Sequence, residues 1–144
     1  EFMQAAIDLA NISYKKNEVP VGAVVVFENN IIGKGRNSMI SENDVTAHAE
    51  INAIRDASRN IGNYRLINCN MYVTLEPCHM CAKAIADARI DNLVFATKEP
   101  KTGSVVSIDN IYDKNILNHC VNYQYGLLKD ESSKLLKNFF RDKR

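Results

Sequence analysis

The spacing of apolar residues along the chain predicts an alternation of helices and strands. From Phe2 to Lys16 apolar residues recur every three or four positions, as on one face of an amphipathic helix. The valine-rich run from Val19 to Phe27 predicts a buried strand, and residues 31–35 predict the returning strand of a hairpin. This first strand pair is therefore expected to be antiparallel, and the polar stretch 36–45 is expected to be a surface loop.

The rest of the chain continues in the same two patterns. Helices are predicted over 47–59, 77–89 and 129–144, strands over 71–75, 93–97 and 120–125, and a short helix within 108–117. Asp44 or Thr46 is expected to cap the first of these helices, and Pro77 to occupy the first position of the second. The inward faces of two helices are predicted to carry Ile51, Ile54, Ala57, Leu135, Leu136, Phe139 and Phe140.

These elements predict an α/β fold, a three-layer α/β/α sandwich with a five-stranded mixed sheet. The strand, helix and strand within 71–97 predict a right-handed crossover, because parallel strands are joined in that hand in nearly all sheets. A chain of 144 residues that is 46% hydrophobic suffices for one core. Residues 1–144 are therefore expected to form a single domain.

Composition and charge narrow the classes of function. No apolar run approaches the roughly 18 residues of a membrane span, and no signal-type segment is recognisable, so we expect a cytoplasmic protein without a membrane partner. A net charge of +1 argues against indiscriminate binding to nucleic acid, and no DNA partner is expected. The segment 129–144 nevertheless carries six basic and three acidic residues, which allows a local site for phosphates.

A candidate metal site lies in the stretch from Thr74 to Cys81. Cys78 and Cys81 are three positions apart, which places two side chains on one face of a helix. In the first turn of that helix the free N–H groups and the helix dipole favour the thiolate form. Two thiolates leave a tetrahedral Zn²⁺ incomplete, and His48 is the expected third ligand. Three protein ligands with one open position are typical of catalytic zinc.

Glu50 is the candidate proton carrier of this site. It lies two positions beyond His48, a spacing that suits one ligand and one carboxylate facing the open position. Zinc would make a water molecule nucleophilic, and Glu50 would take its proton and pass it to the substrate. Two other interpretations remain open, a dithiol redox pair and a structural zinc with His79 or Cys69 as fourth ligand. Glu76 is a rival carboxylate, although next to a proline it is expected to brace the turn or the helix start.

Two motifs carry a resemblance to a known family. The H-x-E motif at 48–50 and the P-C-x-x-C motif at 77–81 resemble the signature of the zinc nucleobase deaminases. A histidine at position 48 points to the branch with a histidine ligand. Within that branch the chain resembles the bacterial tRNA adenosine deaminases over essentially its whole length, notably at 18–23, 46–51, 63–66, 72–81, 101–103 and 139–141.

This resemblance implies a cytidine deaminase-like fold and hydrolytic conversion of the wobble adenosine to inosine in an arginine tRNA. The partners would be a tRNA anticodon loop and a second copy of the chain in a homodimer. The resemblance implies one Zn²⁺ per chain, bound by the residues already named, with Glu50 as the proton shuttle. Substrate contacts would come from Asn37, which would bind the target nucleotide, from Lys101 and Asn118 near the anticodon loop, and from Glu99 near a ribose.

Three positions depart from the family's usual residues, which are Pro at Val45, Val at His79 and Asp at Glu99. The last two are expected to affect the fine substrate preference. One alternative function is a free-base guanine or cytosine deaminase with the same zinc chemistry. Another, from a different class, is a zinc-stabilised RNA-binding module without turnover.

Overall fold

A five-stranded mixed sheet forms the centre of the computed structural model, which describes residues 1–143. The strands are β1 (Gly22–Phe27), β2 (Asn30–Arg36), β3 (Cys69–Leu75), β4 (Asn92–Thr97) and β5 (Asn122–Tyr125). Their order across the sheet is β2-β1-β3-β4-β5. β1 pairs antiparallel with β2 and β3, whereas β3, β4 and β5 run parallel. The predicted hairpin and the parallel crossover are both confirmed.

Helices cover both faces of this sheet, which confirms the three-layer sandwich. They are α1 (Phe2–Lys15), α2 (Met39–Glu42), α3 (Ala49–Ile61), α4 (His79–Asp87) and α5 (Lys129–Asp142), with a 3₁₀ turn at Ile111–Asp113. The larger apolar core joins α3 and α4 to the sheet. A smaller cluster joins α1 to β4 on the other face, and α5 lies beside α1 there through an edge-on contact of Tyr14 with Phe139.

Small residues let α3 approach the sheet closely. A Cβ added at Gly33 would come within 2.5 Å of the Ala53 carbonyl oxygen, and one added at Gly35 would overlap the backbone of Ala49. Ala49, Ala53 and Ala57 are accordingly fully buried. Ile54 is half-buried and packs against this core, as predicted, and Ile51 is also half-buried.

Several helix ends differ from the predictions. The predicted loop 36–45 contains the short α2. His48 is the N-cap of α3, whereas Asp44 accepts hydrogen bonds from the N–H and hydroxyl of Thr46 within the loop. Cys78 is the N-cap of α4, so Pro77 precedes that helix instead of beginning it.

The C-terminal part of the chain also departs from the pattern. Within 108–117 there is a single 3₁₀ turn. In α5, Phe139 is 6% exposed but Phe140 is 50% exposed, so the prediction of an inward Phe140 was wrong. Residue 144, which the predicted helix included, lies outside the described residues. Over positions 1–143 no helix has the length and the apolar run needed to cross a membrane.

Candidate metal centre and adjoining cavity

The two motifs meet where the first turns of α3 and α4 come together. His48 and Cys78 are the N-cap residues of these helices, both in extended backbone conformation. Glu50 and Cys81 lie in the first turns that follow. Because free N–H groups and the positive ends of helix dipoles converge here, negative charge on thiolates is stabilised.

The three predicted ligands are already at the spacing that one ion requires. The Nδ1 atom of His48 is 3.8 Å from the Sγ atom of Cys78 and 3.6 Å from that of Cys81. Each of the three ligand atoms lies within 4.8 Å of the other two. Tetrahedral zinc with the usual Zn–S and Zn–N bond lengths would separate sulfur and nitrogen by about 3.6 Å. The donor set and its geometry therefore fit a zinc ion.

Without a metal, the contacts within the triad favour ionisation of one of its two thiols. A hydrogen bond from Cys81, together with His48, lowers the pKa of Cys78 to about 4 although burial works in the opposite direction. The same contact and burial raise the pKa of Cys81. The hydrogen bond to Cys78 raises the pKa of His48. Cys78 is thus the thiol that ionises more readily, and metal coordination would deprotonate the Cys81 thiol.

Glu50 is buried beside these ligands. Its side chain is only 4% exposed, and burial raises its pKa to about 7. A carboxyl group that titrates near neutral pH is suited to both accepting and donating a proton. Glu50 borders a cavity of about 130 Å³, whose wall also includes Val21, Asn37, Leu75 and Thr102.

Asn37 has one amide atom engaged by the protein. Its Oδ1 atom accepts the backbone N–H of Ala49 at 2.8 Å, and its backbone oxygen accepts the Ser13 hydroxyl at 2.8 Å. The backbone donor decides which amide atom is the oxygen. The Nδ2 group of Asn37 is therefore the one that can donate to a ligand in the cavity.

The other predicted substrate residues are dispersed. Glu99 accepts the Lys101 N–H at 3.0 Å and borders a separate groove of about 880 Å³. Lys101 is exposed and adjoins Thr102, which borders the smaller cavity. Asn118 is exposed in the segment before β5 and borders neither space.

The two imagined fourth ligands lie elsewhere. His79 is an exposed residue whose Nε2 atom is 3.0 Å from an Asp109 carboxylate oxygen. Cys69 begins β3, at the end of the strand opposite the metal centre, and its thiol donates to the Ile67 carbonyl. Neither residue completes a four-ligand structural site among the described residues.

Several residues that border the cavity were not predicted from sequence, and two of them come from outside the central sheet. Met39 reaches the cavity from α2 and Thr102 from the loop after β4. Neither residue type suggests a site. Glu76 also borders the cavity and was expected to brace the turn before α4. It accepts hydrogen bonds from the loop 99–107, and its position before Pro77 did not indicate that this loop would be its partner.

Comparisons with known proteins agree with this geometry. A family model for the cytidine and deoxycytidylate deaminase zinc-binding region matches residues 1–97. The tRNA-specific adenosine deaminase of Haemophilus influenzae is 46% identical over 145 aligned residues, covering 100% of this chain and 84% of that protein. A structure solved in work on A-to-I editing by tRNA:A34 deaminases is 41% identical, with a TM-score of 0.91 over 94% of this chain and 98% of that one.

A guanine deaminase is also similar. The solved structure of the Bacillus subtilis enzyme is 30% identical, with a TM-score of 0.66 over 98% of this chain and 92% of that one. Its lower identity and TM-score separate it from the tRNA deaminase matches. The chain therefore belongs to the zinc-binding cytidine and deoxycytidylate deaminase family, in the branch of the tRNA-specific adenosine deaminases.

Proposed function

We propose that the protein hydrolytically deaminates the wobble adenosine of a tRNA anticodon loop to inosine. One observation carries the proposal, which is the meeting of a His-Cys-Cys triad with a buried glutamate at a cavity. The target base must leave its stack to reach such a cavity, and this is more easily achieved in a loop than in a duplex. Full-length similarity to tRNA-specific adenosine deaminases supports adenosine as the target.

The ligands and Glu50 have separate roles in the proposed reaction. His48, Cys78 and Cys81 would hold zinc, which lowers the pKa of a water molecule and makes it nucleophilic at neutral pH. Glu50 takes a proton from the water that attacks C6 and donates it to N1. It then takes the proton of the hydroxyl formed at C6 and passes it to the amino group, which leaves as ammonia when the C6–N6 bond breaks. Burial of Glu50 favours this cycle, because its raised pKa makes proton return as easy as proton removal.

Residues in and near the wall of the cavity would position the substrate. We infer that the Nδ2 group of Asn37 donates to the target nucleotide, since its Oδ1 atom is already engaged by α3. Glu99 and Lys101 lie on the loop that separates the cavity from the larger groove. They would contact nucleotides beside the target, and Asn118 would make a more distant contact.

The larger groove has the chemistry of an RNA surface. It runs between the loop after β4 and α5, and its wall includes Lys98, Lys137 and Arg141. Phe140, which is 50% exposed, offers an apolar face at the same groove. Cations for phosphates and an aromatic ring for a base are the usual elements of single-stranded RNA binding. Leu75 borders both spaces, so a bound strand could continue from the groove into the cavity.

The finer parts of the proposal rest on the family resemblance or on the length and composition of the chain. They are an arginine tRNA as substrate, a homodimer with one zinc per chain, a single domain over residues 1–144 and a cytoplasmic location. Size-exclusion chromatography with light scattering tests the dimer, and a panel of anticodon stem-loops tests the tRNA.

The zinc-loaded protein should convert the wobble adenosine of an anticodon stem-loop to inosine. The matched variant Glu50→Gln should keep one zinc per chain and lose about 10²- to 10⁴-fold in rate, the usual contribution of a positioned acid-base group. Wild-type rates in a zinc-loaded Glu50→Gln protein would show that Glu50 is not the proton carrier.

A second candidate is deamination of free guanine, favoured by the likeness to the Bacillus subtilis guanine deaminase. Ammonia release from free guanine and cytosine, measured beside the stem-loop assay, separates the two substrates. Ammonia from a free base without inosine in RNA would favour this second function. No product from any substrate, with a fourth protein ligand on the zinc, would favour a non-catalytic RNA-binding module.

A further inference from the structure

Glu76 is a buried carboxylate that the proposed reaction does not use. It is 2% exposed and lies two residues before Cys78. Every hydrogen bond it accepts comes from one segment, residues 99–107, which we call the rim loop. Its Oε2 atom accepts three backbone N–H groups, from Val105 at 3.0 Å, Val106 at 2.8 Å and Ser107 at 3.0 Å.

The second carboxylate oxygen is engaged by the same loop. The Oε1 atom of Glu76 accepts the Glu99 N–H at 3.0 Å and the hydroxyl of Ser107. Hydrogen bonds to an ionised acceptor are stronger than those between neutral groups. One side chain thus binds the first and the last residue of the rim loop, and it closes the loop at both ends.

The rim loop fits closely around this carboxylate. A Cβ added at Gly103 would lie within 2.6 Å of both Glu76 carboxylate oxygens, so only glycine leaves room for the contact. The Ser104 N–H also donates to the Pro77 carbonyl at 2.9 Å, directly before the Cys78 ligand. The loop is therefore tied both to Glu76 and to the start of the metal centre.

The position of the rim loop matters for the substrate. Thr102 borders the small cavity, while Glu99 and Pro100 border the larger groove. The loop thus forms the edge between the reacting base and the neighbouring nucleotides. A loop held in one conformation presents this edge before RNA arrives, which saves the cost of ordering it on binding.

We propose that Glu76 is a positioning residue that holds the rim loop in the conformation that docks RNA. Glu76 borders the small cavity, but both of its carboxylate oxygens are occupied by donors of the rim loop, so it acts through the loop. The inference rests on the proposed RNA substrate and deepens it. It predicts that loss of the carboxylate weakens docking while the metal centre and Glu50 continue to work.

The direct test is Glu76→Gln in the zinc-loaded protein. Glutamine keeps the shape, but its NH₂ group would face backbone N–H donors that the second oxygen now satisfies. We expect amide hydrogen exchange in 99–107 to become at least about tenfold faster, because hydrogen bonds to a charged acceptor are lost. The KM for an anticodon stem-loop should rise about tenfold as the docking-competent fraction falls. The kcat at saturating RNA and the zinc content should stay at the wild-type level.

Two further variants separate this role from general destabilisation. Gly103→Ala disturbs the same contact from the loop side and should raise KM in the same way. Glu18→Gln is the matched control for exchange, since Glu18 is an equally buried carboxylate that accepts the N–H groups of Ile40 and Ser41. It should loosen residues 38–44 and leave exchange in the rim loop unchanged.

Unchanged exchange in the rim loop of Glu76→Gln would overturn the inference. Loss of zinc, or a fall in kcat at constant KM, would also overturn it, because Glu76 would then support the metal centre. If the wild-type protein forms no inosine in RNA, the proposed function is wrong, whatever the role of Glu76. The exchange measurement still decides in that case whether Glu76 holds the loop.

Discussion

Removal of cations from the larger groove should flatten the salt dependence of RNA binding. Lys98, Lys137 and Arg141 border this groove, and each cation that meets a phosphate of a single strand adds about 0.7 to the slope of log K against log salt. The double variant Lys137→Ala with Arg141→Ala should therefore lower the slope by about 1.4. A threefold rise in salt would then weaken wild-type binding about five times more than binding by the double variant.

Fluorescence anisotropy with a labelled anticodon stem-loop measures these slopes, at salt concentrations from about 50 to about 150 mM. The Glu50→Gln background prevents turnover during the titration. Lys134→Ala is the matched control, because Lys134 is an exposed lysine of α5 that does not border the groove. The reasoning is refuted if the double variant keeps the wild-type slope, or if Lys134→Ala lowers the slope by the roughly 0.7 expected for one groove cation.

Three further outcomes follow from the structure. Cys78→Ser should reduce bound zinc well below one per chain by metal analysis, because the residue that carries the thiolate is replaced by a poor zinc ligand; full zinc occupancy would exclude Cys78 as a ligand. Burial raises the pKa of Glu18, but hydrogen bonds from the N–H groups of α2 outweigh it and hold this pKa below its ordinary value. The ionised Glu18 therefore stabilises the folded protein fully at pH values above the ordinary glutamate pKa. This contribution is lost as the pH falls through the pKa of Glu18 in the folded protein. Urea unfolding should show a shallower acid decline for Glu18→Gln, and identical declines would contradict this linkage. Gly35→Ala should lower the free energy of unfolding by about 1–3 kcal/mol, since the new Cβ would overlap the backbone of Ala49, and an unchanged urea midpoint would count against so close a contact.

Local patterns in the sequence predicted most of the fold. Periodicity identified the long helices and all five strands, with ends that differ by at most three residues from those of the structure. One wrong prediction concerns neighbouring residues for which the local pattern allows either to face inward. Phe139 and Phe140 are adjacent and equally apolar, yet a helix can turn only one of them fully inward, and the edge-on contact with Tyr14 determines that it is Phe139.

Only part of the candidate site could likewise be predicted from local sequence. Cys78 and Cys81 share one helix start, so their spacing alone indicates a pair of ligands. The predicted pairing with His48 and Glu50 came from the coordination needs of a catalytic zinc and was supported by the motif resemblance, and the structure places the three ligand atoms close together. Asn118, predicted by resemblance alone, lies outside both the cavity and the groove, and its role stays a prediction.

By itself the sequence determined which side chains could bind a metal and which segments would be helix or strand, because both follow from residues close together in the chain. The tertiary structure decided what those side chains can do. Burial of Glu50 against a distant helix raises its pKa to about 7, and Glu76 reaches a loop some 23 to 31 positions further along. Such properties depend on neighbours that are remote in sequence, and only the packing of α3, α4 and the rim loop around the sheet brings those neighbours together.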